Sequence, residues 1–314
     1  MSLAAPLLCI TPGPAIDRTA FVARLTHTEV LRPRELVVLP GGKGVNAARA
    51  AVRLGGKVLT TGVAGGHAGE WIVEALAAEG LEPHFSRATA ESRTTYVTID
   101  DQGESVIVYE RPGTATQAEF EAFLALLERE LLPRCSRALV AGSVPSGIAA
   151  SGLVQIVEAC RRAGRPLLVD ASGASLLAAL AAKPDVVKIG RVEAVDAGLV
   201  AADAGTVAVA LALVGHGAGL AVVTDGPRTV AAADSAAVWE VEVPVVDAVN
   251  AVGSGDSFNA ALSLALMQGQ PMDVALARGV AAGSANAMAP GAGMLDPRVA
   301  LELEAATTVS VRQR

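Results

Sequence analysis

The chain predicts a doubly wound α/β fold: a mostly parallel sheet with helices on both faces, plus a small β-sheet lid over its open edge. Three observations carry that reading. Short β-branched runs alternate with Ala-rich helical stretches along the 314 residues, which is the rhythm of successive βα units. The strand runs are apolar throughout, as expected of parallel strands covered on both faces. Two segments, 15–39 and 94–110, break the rhythm with period-two alternation and read as antiparallel β.

The elements follow in order. Leu7–Ile10 is the first buried strand. Alternation around Arg18–Ala23 and Glu35–Leu39 forms one half of the lid, and a helix is expected over Val45–Leu54. Val58–Thr61 is the next strand, followed by a helix over Glu70–Glu79. The second half of the lid alternates at Thr95, Val97 and Ile99, turns at Asp101-Gln102-Gly103 and resumes at Val106–Tyr109. Thr116 and Glu119 have the spacing of a capping box ahead of a helix over Gln117–Leu132. Strands at Ala138–Ala141, Leu167–Asp170 and Val186–Ile189 enclose a helix over Gly152–Ala163. From Ala204 to Thr224 no formal charge appears with His216 neutral. The break Gly215-His216-Gly217-Ala218-Gly219 divides that stretch into a helix, Thr206–Val214, and a buried strand, Leu220–Thr224, rather than a membrane span. A β-like run at Val241–Val246 leads to two final helices, Asp256–Gln268 and Met272–Ala289. The whole chain, 1–314, reads as a single domain with its lid.

Composition narrows the function classes. The chain is 52% hydrophobic and only 3% aromatic, so its core is Ala, Val and Leu rather than an aromatic binding surface. A formal net charge of -7 disfavours non-specific binding to nucleic acid or anionic membrane. The three cysteines, Cys9, Cys135 and Cys160, lie far apart and form neither a CxxC nor a Cys/His cluster. A reducing cytoplasm fits them. Met1–Ile10 is apolar but lacks a preceding basic region and is interrupted by Pro6, so no signal peptide is expected.

The most informative stretch is Val249-Asn250-Ala251-Val252-Gly253-Ser254-Gly255-Asp256. Glycines let backbone N–H groups turn toward one point, and a helix N-terminus adds partial positive charge there. The result is an anion pocket with a carboxylate at its rim. That suits phosphoryl transfer, with N–H groups holding the transferred group and Asp256 accepting a proton from the attacking hydroxyl. Upstream, Pro40-Gly41-Gly42-Lys43-Gly44-Val45-Asn46 is not a Walker A loop. Val37 stands where that loop needs its first glycine, and Gly44 follows the lysine. Its glycines still permit close approach to a ligand, Lys43 can meet an anion, and Asn46 both donates and accepts. Thr61 to Gly69 opens another helix but has no GxGxxG pattern, which disfavours a dinucleotide site. Gly65 and Gly66 permit close approach there, and His67 reads as an ordinary loop histidine. Asp17 follows the first strand, at the carboxyl end of the sheet where such folds bind ligands.

Together these segments resemble the PfkB, or ribokinase-like, family of carbohydrate kinases across nearly the whole chain. The resemblance rests on Pro14-Ala15-Ile16-Asp17, on Gly-Gly-Lys-Gly-x-Asn at 41–46 and on Gly65-Gly66-x-x-Gly69. It continues through Ala141-Gly142-Ser143-Val144-Pro145-Ser146-Gly147, Asp170-Ala171-Ser172-Gly173 and Val-Gly-Ser-Gly-Asp-Ser at 252–257. The last motif looks most like the phosphosugar branch, which includes 1-phosphofructokinases and tagatose-6-phosphate kinases. The likeness implies Asp256 as general base, with the N–H groups of Ala251 to Asp256, including Gly253, Ser254 and Gly255, as the anion hole. It implies that Asp17, Gly41, Gly42 and Asn46 hold the sugar, and that Lys43 and Arg93 face the phosphate of a phosphorylated sugar. Arg93 supplies a planar fork suited to phosphate. Lys188, Thr224, Gly226 and Ala251 would meet the nucleotide phosphates, and Gly283 and Asn286 would lie near the adenine. ATP, Mg2+ and a monovalent cation are implied with it, and Glu193 would reach the metal through water. A homodimer joined through the lids is implied too, and matches the free edges such sheets carry.

Two departures stand out. Where the family usually has Lys-Pro-Asn-x-x-Glu, this chain has Lys188-Ile189-Gly190-Arg191-Val192-Glu193. Thr229 stands where a small or glycine residue is more usual. The expected reaction is transfer of the γ-phosphoryl group of ATP to a ketohexose monophosphate. Fructose 1-phosphate attacked at its 6-hydroxyl comes first, then tagatose or fructose 6-phosphate attacked at the 1-hydroxyl. A kinase of an unphosphorylated sugar or nucleoside remains open, as does a non-catalytic sugar-phosphate-binding protein with a degenerate nucleotide site.

Overall fold

A computed structural model describes residues 5–26 and 28–314. Residues 1–4, which begin the apolar Met1–Ile10 segment, and His27, inside the first lid range, lie outside the described residues. The chain runs β1 (Leu7–Thr11), β2 (Ala15–Val22), β3 (Glu35–Gly41), α1 (Lys43–Arg53), β4 (Val58–Gly65), α2 (Gly66–Ala78), β5 (Glu82–Ala88), β6 (Arg93–Asp100) and β7 (Ser105–Tyr109). It continues with α3 (Gln117–Leu126), β8 (Arg137–Ala141), α4 (Ser151–Arg162), β9 (Leu167–Asp170), α5 (Gly173–Ala181), β10 (Val186–Gly190) and α6 (Arg191–Asp196). It ends with α7 (Thr206–Gly215), β11 (Leu220–Thr224), β12 (Thr229–Ala233), β13 (Ala237–Glu242), α8 (Ser254–Met267), α9 (Met272–Ala287), α10 (Pro297–Ala306) and β14 (Val309–Gln313).

The large sheet has the order β14-β13-β12-β11-β10-β9-β8-β1-β4-β5. It is parallel from β5 to β11 and antiparallel beyond. From β1 the chain winds one way through β4 and β5 and later the other way through β8 to β11. That puts the topological switch between β1 and β8, where open α/β sheets bind ligands. Side-chain alternation along β1 feeds both faces. Leu8 and Ile10 join Phe120, Phe123, Ile156 and Leu213 on one side. Leu7 and Cys9 join Val45, Ile72, Phe258 and Leu276 on the other.

The lid is a separate sheet of order β3-β2-β6-β7. Its outer pairs are antiparallel as expected, but its central pair, β2 with β6, is parallel, with Ala15 opposite Arg93. Between those strands the chain returns to the large sheet through α1, β4, α2 and β5, so it re-enters the lid in the same direction.

Several expectations are corrected. Three strands, β5, β12 and β14, had no clear sequence signal, and β13 overlaps the expected run only at its end. β5 carries Glu82, Pro83 and His84 on an edge, and β12 is mostly alanine, which reads as helix. Only Val241 and Glu242 of the Val241–Val246 run are in a strand. Pro244 lacks an N–H for the ladder, and Val245 is 100% exposed. The helix expected to Leu132 stops being α-helical at Leu126. It continues as a π-helical turn over Leu127–Leu131 and a short 3₁₀ turn containing Pro133. The capping box forms: Glu119 N–H donates to Thr116 Oγ1 at 3.2 Å, and Thr116 N–H donates to Glu119 Oε2 at 2.7 Å. The uncharged 204–224 stretch divides into α7 and β11. Among the described residues no helix is long and apolar enough to cross a membrane.

Candidate active site

The glycine turn at 253 is built by its neighbours. Val249 and Asn250 N–H groups both donate to the Ala287 carbonyl at the end of α9. Asn286 is fully buried; its Nδ2 donates to the Val252 carbonyl at 2.9 Å, while its Oδ1 accepts from Gly293 N–H and Ser257 Oγ. Asn286, expected near the adenine, thus spends its amide on the turn itself. Gly253 has φ 87°, a left-handed conformation that starts α8. A Cβ there would also come within 2.5 Å of Ala292 Cβ. Gly283 lets α9 approach the same turn, since an added Cβ would sit 3.0 Å from the Ser254 carbonyl oxygen. Among the described residues the N–H groups of Gly255 and Asp256 donate to no protein acceptor, and the buried Ser254 Oγ has no hydrogen-bond partner. Free donors at a helix N-terminus suit an anion, as an anion hole requires.

Around that hole lies a buried charge cluster. Asp256 is 6% exposed and accepts from Asn46 Nδ2 at 2.9 Å. Asp170, at the end of β9 and 1% exposed, accepts from Lys43 Nζ at 2.9 Å, Lys188 Nζ at 3.0 Å and Asn259 Nδ2 at 2.7 Å. Lys188 Nζ lies against the Gly255 backbone, 2.6 Å from where a Cβ would stand. Lys43, expected to face a sugar phosphate, is therefore turned to Asp170 and, at 3.6 Å, to Glu193. The two aspartates are driven apart. Burial pushes the Asp256 carboxyl up to about 6, and the Asp170 charge adds to that against Lys43, Asn46 and Lys188. Burial opposes ionisation of Asp170 too, but the Lys188 and Lys43 ammonium groups outweigh it and hold its carboxyl far below the usual range. Two carboxyls so separated suit one proton acceptor and one permanent anion.

The lid supplies the opposite wall. Asp17 on β2 rests on Gly41, where an added Cβ would fall 2.0 Å from its Oδ2. Burial raises its carboxyl pKa, opposed by the Thr95 side chain, the Arg49 charge, the Gly42 N–H and the Arg93 charge. Arg93 begins β6, and its buried Nε has no partner among the described residues. Tyr109, at the end of β7, is exposed as a residue, but partial burial of its hydroxyl and the Asp17 and Asp256 charges raise its pKa, so that hydroxyl faces the same space. The Gly65-Gly66 turn holds an internal anion instead: Glu91 accepts from His67 and Ala68 N–H at the start of α2. His67 itself is exposed.

On the remaining side, Gly190 and Thr224 are paired at the ends of β10 and β11. Just beyond them Arg191 Nε lies 3.2 Å from Asp225, which Arg228 also clamps at 2.7 Å. Gly226 completes that turn with φ 56°. Ala251 closes the turn before α8 by accepting from Ser254 N–H. Glu193 Oε2 accepts from Gly190 N–H at 3.0 Å. Among the described residues no group of three His, Cys, Asp or Glu could hold a metal unaided.

The structure thus brings Asp256, Asn46, Lys43, Lys188 and Glu193 into one cluster and places Asp17 and Arg93 on the lid beside it. Asp170 and Asn259 were not singled out as site residues. Asp170 is an acid ending an apolar strand, and Asn259 shares Asp256's helix face at i+3, so both signals were available. Arg49 gave none, being one cation in an Ala-rich helix.

Comparison with known proteins bears on the fold and the family. Phosphofructokinase-2 from Escherichia coli in complex with potassium superposes with a TM-score of 0.86 at 28% identity, over 97% of this chain and 99% of that one. The same enzyme in complex with fructose-6-phosphate gives 0.84 at 27% identity, over 97% and 99%. A possible 1-phosphofructokinase from Thermotoga maritima gives 0.88 at 21% identity, over 98% and 99%, a likeness of fold. Residues 9–297 match the profile of the pfkB family carbohydrate kinases, and the chain belongs to that family.

Proposed function

We propose that this carbohydrate kinase transfers the γ-phosphoryl group of ATP to a free primary hydroxyl of a ketohexose monophosphate, with Asp256 as general base. The observation that carries the reading is a buried carboxyl, raised to about 6, at the mouth of the α8 anion hole. A base of that pKa is ionised at neutral pH yet retains affinity for a proton. Asp256 takes the hydroxyl proton, while the free N–H groups of Gly255 and Asp256, with Lys188 beside Gly255, hold the transferred group. Asp17, Gly41, Gly42 and Asn46 hold sugar hydroxyls. Arg93, with an unpartnered buried Nε, receives the sugar's own phosphate. Thr224, Gly226 and Ala251 meet the nucleotide phosphates, with Gly283 and Asn286 backing the turn. Closure of the lid excludes water, which would otherwise compete as acceptor.

Glu193 suits a water-mediated Mg2+ contact, since Mg2+ keeps several waters and takes few protein ligands. Bound there, the metal would neutralise charge on the phosphates. A monovalent cation belongs to the same reading, supported by the potassium complex of the Escherichia coli relative. The unpaired, buried cysteines suit a cytoplasmic enzyme. The expected homodimer is assigned to the lid, where Val106, Val108 and Tyr109 of β7 are exposed.

Fructose 1-phosphate attacked at the 6-hydroxyl is the first reading. Fructose or tagatose 6-phosphate attacked at the 1-hydroxyl is the second, favoured by the fructose-6-phosphate complex of the relative. A furanose carries its two CH2O arms on either side of the ring oxygen. A site that grips phosphate at one end and activates a hydroxyl at the other therefore fits both. The test is ADP release with ATP and Mg2+ over free sugars and sugar phosphates. Turnover on one ketohexose phosphate, with KM raised many-fold in Arg93→Ala, is expected. Turnover on free sugars that Arg93→Ala leaves unchanged would establish the unphosphorylated acceptor instead. Silence on every acceptor, with phosphosugar still bound, would establish a binding protein.

A further inference from the structure

Arg49 lies on α1, one turn beyond Asn46, and is 5% exposed. Every arm of its guanidinium is used. Glu79, at the end of α2, takes Nε at 2.6 Å and Nη2 at 3.0 Å, the bidentate fork that fixes an arginine's plane. Nη2 also donates to the Pro40 carbonyl at 2.5 Å, Nη1 to the Ala292 carbonyl at 2.9 Å, and Nη1 to Asn46 Oδ1 at 3.4 Å. These three acceptors belong to three parts of the site. Pro40 precedes Gly41, on which Asp17 rests; Ala292 packs on the Gly253 turn; Asn46 donates to Asp256. A guanidinium has only donors, so it can donate only to the oxygen end of the Asn46 amide. The nitrogen end must then face Asp256. Turned over, the amide would set its oxygen against the Asp256 carboxylate and its NH2 against the guanidinium, mismatched at both ends.

We propose that Arg49, clamped by Glu79, is a positioning residue for phosphoryl transfer: it holds the Asn46 amide so that its NH2 donates to the base, Asp256. The proposal rests on Asp256 being that base. Loss of the donor removes stabilisation of the ionised carboxylate, so the base must titrate at higher pH. The other charged or titratable groups around Asp256 are Asp170 on β9, Lys188 on β10, Lys43 at the start of α1 and Tyr109 on β7. None changes in Arg49→Lys, which keeps the positive charge but cannot make the same set of contacts.

The experiment is the pH profile of kcat/KM for the sugar phosphate in wild type, Arg49→Lys, Asn46→Ala and the double variant, with Glu79→Gln as a second route to Arg49. The acid limb is expected to move up by about one pH unit in Arg49→Lys, the scale of one lost hydrogen bond to a carboxylate. Asn46→Ala should move it equally, and the double variant no further, while KM for ATP stays unchanged. Glu79→Gln should shift the limb in the same direction by less. An acid limb unmoved in Arg49→Lys, or in Glu79→Gln should the lysine variant fail to fold, overturns the proposal. So does a double variant whose shift is the sum of the two singles. Failure of the base itself reads out separately, as Asp256→Asn that retains wild-type turnover.

Discussion

Asp256→Asn should abolish turnover and at the same time stabilise the protein. The substitution keeps shape and removes a charge that the fold disfavours. Burial and Asp170 raise this carboxyl from 3.8 to about 6. The sign follows from linkage: a raised carboxyl binds its proton more tightly in the folded state, so ionisation lowers stability as pH rises. The loss begins near pH 4, grows to pH 6 and is complete above it. Its full size is about 3 kcal/mol, at about 1.4 kcal/mol for each pH unit. At pH 8 the asparagine variant should therefore unfold about 6 °C above wild type, at about 2 °C per kcal/mol for a chain of this length. At pH 4 the two should nearly coincide. Thermal unfolding across pH 4–8, run without ligands, measures the gap. A gap that is absent at pH 8, or independent of pH, would refute the claim that Asp256 is held ionised against its surroundings. In the wild type, the acid limb of kcat/KM should fall near pH 6.

Three further outcomes follow from the same geometry. Asp170→Asn removes the like charge facing Asp256, so the acid limb should move to lower pH in the kcat/KM profile. It should also lower stability by about 3–5 kcal/mol, because buried Lys188 loses its counter-ion; denaturant unfolding checks this. Gly41→Ala drives a methyl into the Asp17 carboxylate and should raise KM for the sugar many-fold while leaving KM for ATP alone in steady-state kinetics. Val108→Asp on the exposed strand of the lid should convert a dimer to monomer in sedimentation velocity; an unchanged sedimentation coefficient would remove the lid from the interface.

The fold class was legible because short β-branched runs alternate with Ala-rich stretches along the chain, and β-branched side chains and alanine favour different backbones. The motif glycines were legible because backbone that must turn tightly or approach a partner closely excludes a side chain. Asp17, Asn46 and Asp256 could be singled out for the same reason, since each sits beside such a turn or just past a strand; Lys188, inside β10, came only with the family likeness. The sequence alone could not show that the central lid strands are parallel, since that depends on where the chain goes between them. Nor could it place β12 and β14 at the edge beside β13, since the alanines of β12 read as helix and the short, mostly exposed β14 acquires strand geometry only by pairing with β13. Tertiary structure also decided what each charge meets. Lys43 turns to Asp170, 127 residues away, and Asn46 to Asp256, 210 away. Arg49 became visible only when Pro40, Glu79 and Ala292 closed around it. Local sequence determines conformational preference, because sterics and period act over a few residues. Which carboxylate becomes a base is set by burial and neighbouring charge, and those exist only once distant segments have packed.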